Sequence, residues 1–429
     1  CPKYIEEKCF MTTKKVKPEH GMSTIVNHVG EGGHDKHAHL MPIYQTSTFG
    51  FDTVEEAGEV FAGKKKSYAY TRTSNPNMDH LANKIAYMEG IDLIRSNPDV
   101  EPTELVMGKV TSSGMAATSA AVLAKMRAGD KAIVHRGLYG NSFKWWYQFA
   151  PRLGIEVVWF SDVGPASLAN VIAENTDAKM VFLETPSNPN IEIVDLSHLV
   201  EAAHAHDIWV VVDNTFATPY HQRPLTFGCD VVLHSTSKYI SGHGQIIGGA
   251  IVSTHLDYMA PGGDGVGLTY KMLGVAPSPT DTSLINVGLK TFEIRMQKHA
   301  ENALAIASWL QDQPQIEEVL YPGLAENPFH ALARRQMVNG FGGMVSFKIR
   351  GGVKNCMTFT NAVTIPTLAV SLGNVDSLIQ HPASMTHSAT PKTEREKAGI
   401  ADNIVRLSVG IENIEDLIAD LGQAMAKVR

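Results

Sequence analysis

Five short runs of β-branched and aromatic residues recur through the middle of this chain: KAIVHR, EVVWFS, KMVFLET, WVVVDNT and DVVLHSTS. Helix-like stretches lie between them, among them Met115–Arg127, Pro165–Asn175 and Leu196–Ala205. This alternation constrains the fold more than any other feature. Repeated strand–helix–strand units bury their apolar faces as βαβ layers, which predicts an α/β fold with a mostly parallel, doubly wound sheet. The runs are apolar almost end to end, as strands covered on both faces must be.

The flanks read differently. Residues 1–74 are rich in Gly, His and Pro, carry one amphipathic stretch at Val54–Ala62, and read as an arm. After GGAIVS come a Gly- and Pro-rich loop and a long helical pattern over about 284–311. MVSFKIRG and NIVRLSVGIE then read as strands of a smaller α+β domain. The expected organisation is therefore an arm at 1–74, a ligand-binding α/β domain at 75–289 and a C-terminal domain at 290–429. A chain of 429 residues can fill two such cores. Net charge is −7 and the basic patches KKVKPEH and GKKKS are short, which argues against a nucleic-acid surface. The absence of a long apolar run and of a signal-like start points to a cytoplasmic protein with no membrane partner. The four cysteines, Cys1, Cys9, Cys229 and Cys356, form no CxxC pair, so neither a zinc ribbon nor a disulfide scaffold is indicated.

In open α/β sheets, ligands bind beyond the carboxyl ends of the strands. The residues delivered there are Tyr139 in GLYGNS, Asn188 in TPSNPN, Asp213 in VVVDNT, and Ser235, Ser237 and Lys238 in HSTSKYISGHG. An aromatic ring, an amide, a carboxylate, two hydroxyls and an amine are what a charged, planar, phosphorylated aldehyde requires. The amine can form an imine, the carboxylate can keep a ring nitrogen protonated, and the aromatic can cover the ring face. VTSSGMAATSAA adds a helix start whose amides at Gly114 and Met115 suit a phosphate.

With those residues in place, the chain resembles the Cys/Met-metabolism pyridoxal-phosphate (PLP) enzymes, the trans-sulfuration family, over about residues 38–425. The resemblance is carried by MPIYQTSTFGF, YAYTRTSNPN, SSGMAA, LYGNSF, ETPSNPN, VVDNTF, HSTSKYISGHG, VSLGNVDSLIQHPASMTHS and RLSVGIE, in that order. It implies fold type I of the PLP-dependent transferases, with residues 75–289 as the PLP-binding domain. It also implies that Lys238 bears the cofactor as a Schiff base and moves protons, and that Asp213 pairs with the pyridinium nitrogen. Tyr139 would stack on the ring and act as acid/base at the γ-leaving group. Gly114, Met115, Ser235 and Ser237 would hold the phosphate, helped by Tyr70 and Arg72 from a neighbouring subunit. Arg406 would clamp the substrate carboxylate, with Ser371 and Asn188 close to the imine. Sharing Tyr70 and Arg72 across subunits implies a homo-oligomer, a tetramer built from dimers.

Other motifs lead nowhere. GEVFAGKK mimics a P-loop but has Lys65 where a magnesium-binding hydroxyl belongs, and GHGQIIGG does not open a helix. His34, His37 and His39 with Asp35 read as a solvated or interface cluster, so no metal is expected. For the reaction, family members acting on cystathionine commonly place an acid before the SLG serine, and some place Asp before the YTR tyrosine. Here those positions are Val370 and Ala69, which favours a small uncharged γ-substituent. The expected activity is PLP-dependent γ-elimination on L-methionine, giving methanethiol, 2-oxobutanoate and ammonia. Asn141 and Gln245 depart from the Cys and Asp usual in methionine γ-lyases, and both bear on the substrate end of the site. The alternatives are γ-replacement on an O-acylhomoserine (O-acetylhomoserine sulfhydrylase or cystathionine γ-synthase), cystathionine γ-lyase activity and, remotely, a non-catalytic PLP-fold regulator.

Overall fold

Each of the five apolar runs is a strand in the computed structural model, which describes residues 16–428 apart from 389. Cys1 and Cys9 lie outside the described residues. Among those residues the strands are β1 (Met107–Thr111), β2 (Lys131–His135), β3 (Glu156–Phe160), β4 (Met180–Glu184), β5 (Trp209–Asp213), β6 (Val231–His234), β7 (Gly249–Ser253), β8 (Ile316–Leu320), β9 (Met344–Ile349), β10 (Thr367–Leu368), β11 (Leu378–Gln380) and β12 (Ile404–Ser408). The chain divides into two compact units, each assembled from separated stretches. One comprises residues up to 125 with 230–237 and 245–291; the other comprises 126–229, 238–244 and 292–429.

In the first unit, β7 pairs antiparallel with both β1 and β6. The connection from β6 to β7 contains no helix, and a parallel return needs a crossover of a dozen or more residues that is usually helical. The strand therefore comes straight back, which departs from uniform parallel order. Helix Pro76–Glu89 packs on β1 and β7. It begins at Asn75, whose side chain accepts the Asn77 N–H at 3.0 Å, with Pro76 in the first turn where its missing N–H costs nothing. Helix Gly114–Lys125 packs on β6 and β7 through Ala117, Ala120 and Ala121, all buried.

The amphipathic stretch of the expected arm is helix Val54–Phe61, which buries none of its residues within the chain. Nearby, Glu31 anchors a polar network in the first unit. Its Oε1 accepts from Lys84 at 3.2 Å, Asn286 at 3.2 Å and Lys290 at 3.0 Å, and its Oε2 stands 3.4 Å from His34 Nε2. His34 is thereby drawn away from His37 and His39, which are exposed.

In the second unit, β2 pairs in parallel with β3 and β4, and β4 with β5. The core over these strands joins Ile133, Val181, Leu183, Val210 and Val212 to Leu168, Leu196 and Leu199. A second sheet follows the order β10-β11-β12-β9-β8, and both strands expected at the C-terminal end are present in it as β9 and β12. Val345, Phe347, Val405 and Leu407 of this sheet are buried against Ile306, Leu310, Leu417 and Leu421. The helical pattern over 284–311 is two helices, Pro279–Leu289 and Phe292–Gln311. Lys290 and Thr291 close the first with tight three-residue hydrogen bonds to Val287 and Gly288, and the Lys290 side chain turns to Glu31. No helix among the described residues is long and apolar enough to cross a membrane.

The Glu31 network predicts a pH-dependent stability. Burial alone would raise the Glu31 carboxyl, but the His80 hydrogen bond and the Lys84 charge outweigh it and hold the group well below the usual range. A depressed folded-state value stabilises above the unfolded value and is lost as pH falls. Glu31→Ala, which strands the fully buried Lys84 ammonium, should lose about 3 kcal/mol in urea unfolding at neutral pH. That loss should shrink as pH drops below about 4.

Candidate active site

Lys238 follows β6 by a few residues, and its amine donates to the Ser371 hydroxyl at 2.5 Å. The backbone carbonyl of the same serine accepts from Arg406 Nη2 at 2.9 Å. Arg406, in the middle of β12, also donates from Nη1 to Asn188 Oδ1 at 2.9 Å. Gln380, its register partner on β11, accepts from Nε at 3.0 Å when its amide oxygen faces the guanidinium. Four residues named from the sequence, Lys238, Ser371, Arg406 and Asn188, are thus joined in one hydrogen-bonded line. Ser371 adopts φ +88°, a conformation that costs a non-glycine residue energy and persists only where its surroundings enforce it. Gly373 close by has φ +73°, and a Cβ there would come 2.6 Å from the Tyr239 backbone nitrogen, so the turn packs against the lysine segment only as glycine.

Burial governs the charges. It pushes the Lys238 amine down to about 8, and the positive Arg406 adds to the effect. Arg406 is lowered by burial to about 10 and stays charged at neutral pH. Asp213 closes β5, and its Oδ1 accepts from the Thr215 N–H at 3.0 Å and the Thr215 hydroxyl at 2.5 Å. Tyr139 precedes helix Gly140–Lys144 with 40% of its surface exposed, and its hydroxyl accepts from Asn141 Nδ2 at 3.1 Å.

Other named residues lie in the first unit. Gly114 opens its helix, Ser113 Oγ accepts the Ala116 N–H at 3.0 Å, and a Cβ on Gly114 would lie 2.9 Å from Ser235 Cβ. Only glycine lets the helix start, with Met115 in its first turn, approach the end of β6 this closely. Ser237 Oγ exchanges hydrogen bonds with the Gly248 backbone at 2.9 and 3.2 Å. Tyr70 and Arg72 line a separate cavity of about 310 Å³ with Gln45, Thr46, Ser47 and Pro279, and Arg72 donates to the Lys271 carbonyl at 2.8 Å.

Each unit, taken by itself, holds groups of the kind that PLP needs. The second unit offers a partly buried amine that loses its proton near 8, and a carboxylate at a strand end. The first offers hydroxyls beside a helix N-terminus kept open by glycine, chemistry suited to a phosphate dianion. Among the described residues no cluster of His, Cys, Asp or Glu suits a metal ion.

Gln380 and Glu184 escaped the sequence reading. Glu184 ends β4 in register with Asp213, is 5% exposed, and accepts the Tyr139 backbone N–H at 2.8 Å. A charged residue ending an otherwise apolar run, KMVFLE beside WVVVD, was the signal available.

The sequence profile described as Cys/Met metabolism PLP-dependent enzyme matches residues 23–426. An L-methionine gamma-lyase of Fusobacterium nucleatum subsp. polymorphum is 43% identical over 419 residues, covering 97% of this chain and 100% of that protein. A crystal structure of cystathionine gamma synthase from Xanthomonas oryzae pv. oryzae in complex with cystathionine superposes with a TM-score of 0.86 at 38% identity, over 95% of this chain and 98% of that one. A putative O-acetylhomoserine (thiol)-lyase of Campylobacter jejuni, whose structure carries N'-pyridoxyl-lysine-5'-monophosphate, is 31% identical with a TM-score of 0.85, over 95% of this chain and 100% of that one.

The environment of Lys238 has a direct consequence. Capture of added PLP by the cofactor-free protein should accelerate as pH rises through about 8, where the amine becomes the free base. A stopped-flow pH series checks this, and an inflection near 10 instead would mean that the amine is not desolvated.

Proposed function

We propose that this chain, which belongs to the Cys/Met metabolism PLP-dependent enzyme family, is a carbon–sulfur lyase that converts L-methionine and water to methanethiol, 2-oxobutanoate and ammonia. Its fold is type I of the PLP-dependent transferases, and its cofactor is pyridoxal 5'-phosphate. The observation that carries the reading is the bridge through Ser371. One residue binds the Lys238 amine by its hydroxyl and the Arg406 guanidinium by its carbonyl, so a proton carrier and a carboxylate clamp are held at a set separation.

The bound cofactor supplies an electron sink conjugated to the substrate Cα. Around it, Arg406 takes the substrate carboxylate, its plane steadied by Asn188 and the Ser371 carbonyl. The Lys238 amine, freed when the substrate binds, removes the Cα proton and then serves Cβ. The Tyr139 hydroxyl gives a proton to the departing γ-sulfur, with Asn141 orienting it by its amide donor. Asp213 would pair with the ring nitrogen, and Gly114, Met115, Ser235 and Ser237 would hold the phosphate. Tyr70 and Arg72 complete the phosphate site of a neighbouring subunit, which makes the working form a homo-oligomer, a tetramer of such dimers in the cytoplasm. The arm at 1–74 and the divisions at 75–289 and 290–429 belong to the same proposal.

Substrate choice follows from what surrounds the γ-substituent. Val370, beside Ser371 and 55% exposed, and Ala69 offer no acid to a distal ammonium, which is costly to bury alone. A thioether meets no such cost. A second reading, γ-replacement on an O-acylhomoserine, is favoured by Asn141, whose polar amide beside the Tyr139 hydroxyl suits an ester oxygen.

A product assay separates the two. L-methionine alone should release 2-oxobutanoate and methanethiol faster than O-acetylhomoserine plus sulfide yields a replacement product, and the reverse order selects the second reading. Lys238→Ala should lose the ~420 nm band of the loaded enzyme together with activity. Tyr139→Phe should keep the band and lower kcat by about 100-fold, the usual worth of a positioned acid.

A further inference from the structure

Glu184 and Asp213 are the last residues of β4 and β5 and are register partners, so on parallel strands about 4.8 Å apart their side chains leave the same face. Two carboxylates so placed, Glu184 buried and Asp213 half-buried, do not both ionise readily, because each repels the other and a Glu184 anion would be poorly hydrated. The two have different partners. Asp213 Oδ1 takes the N–H and the hydroxyl of Thr215, an arrangement that stabilises an anion. Glu184 Oε1 takes the backbone N–H of Tyr139, and Ser142 bonds its side chain. Neutral acid and carboxylate alike can accept both.

We propose that Glu184 is a positioning residue acting as an uncharged acid, whose carbonyl oxygen seats the Tyr139 backbone and whose proton leaves Asp213 the only anion of the pair. The inference deepens the proposed function and rests on its reading of Asp213 as the partner of a cationic ring. The groups facing Glu184 are Asp213 from β5, Arg406 from β12, and Tyr139 and Ser142 from the N-cap and interior of helix Gly140–Lys144. Burial, then the Asp213 charge, raise the Glu184 carboxyl well above its ordinary value, and the Tyr139 N–H, Arg406 and Ser142 oppose this without cancelling it. One negative charge then meets one ring cation, and Tyr139, the proposed acid at sulfur, is held by its main chain while Asn141 holds its hydroxyl.

Cofactor-free wild type, Glu184→Gln and Glu184→Ala, each titrated with PLP by equilibrium dialysis at pH 7, test the inference. Glutamine mimics the neutral acid, so its affinity should stay within about fivefold of wild type, whereas alanine, which loses the acceptor, should bind more weakly than that. Glu184→Met, equal in volume and without an acceptor, stands in if alanine does not fold. Glutamine binding PLP more than about fivefold more weakly would mark Glu184 as an anion and overturn the inference. Alanine or methionine matching wild type in affinity and kcat would also overturn it. Failure of wild type itself to bind PLP would strike the function beneath it instead.

Discussion

The hydroxyl and the carbonyl of Ser371 face two different cations, and the second unit's chemistry depends on that. A 2.5 Å bond holds the Lys238 amine, and a 2.9 Å bond holds Arg406. The serine reaches both only because its backbone sits at φ +88°, with Gly373 two residues on making a turn that no side chain could occupy against Tyr239. The Gly373 N–H is in turn anchored to Ser408 Oγ on β12, the strand that carries Arg406. Strain at one residue is thus maintained by hydrogen bonds and packing on both sides of it.

Desolvation sets the charge states around this bridge. Lys238, partly buried, and Arg406, buried, lie close to each other, and the cost falls first on the group with the lower intrinsic basicity. The Lys238 amine falls to about 8, so it is still largely protonated at neutral pH but yields the free base far more readily than a solvated lysine, while the guanidinium of Arg406 at about 10 remains charged. The same environment acts on acids in the opposite sense and raises Glu184. A single dry setting therefore yields a nucleophilic amine, a permanent cation for a carboxylate and an uncharged hydrogen-bonding acid.

Much of this was legible in the chain. The apolar runs are strands at the residues expected, and the helices between them start and end within a few residues of their pattern. Lys238, Asp213, Asn188 and Tyr139 could be named because each follows a strand, where ligands bind in such sheets. Arg406 and Ser371 came from resemblance, since nothing in RLSVG or VSLG announces that a guanidinium will meet a serine carbonyl. Other features were hidden for physical reasons. Antiparallel β7 follows from a helix-free return that composition alone does not display. The break at Lys290 and Thr291 reflects a capping turn and a tertiary pull from Glu31 that override a continuous helical pattern. The pairing of Glu184 with Asp213 depends on strand register, which becomes visible only once the strands are aligned.

We place the attachment of PLP at one amine, that of Lys238, whose desolvation lets it lose its proton more readily than a solvated lysine. Borohydride reduction of the PLP-loaded protein followed by peptide mapping tests it most directly. A phosphopyridoxyl group is expected on the peptide containing Lys238 and on no other. Modification of a different lysine, or none on the Lys238 peptide, would contradict it.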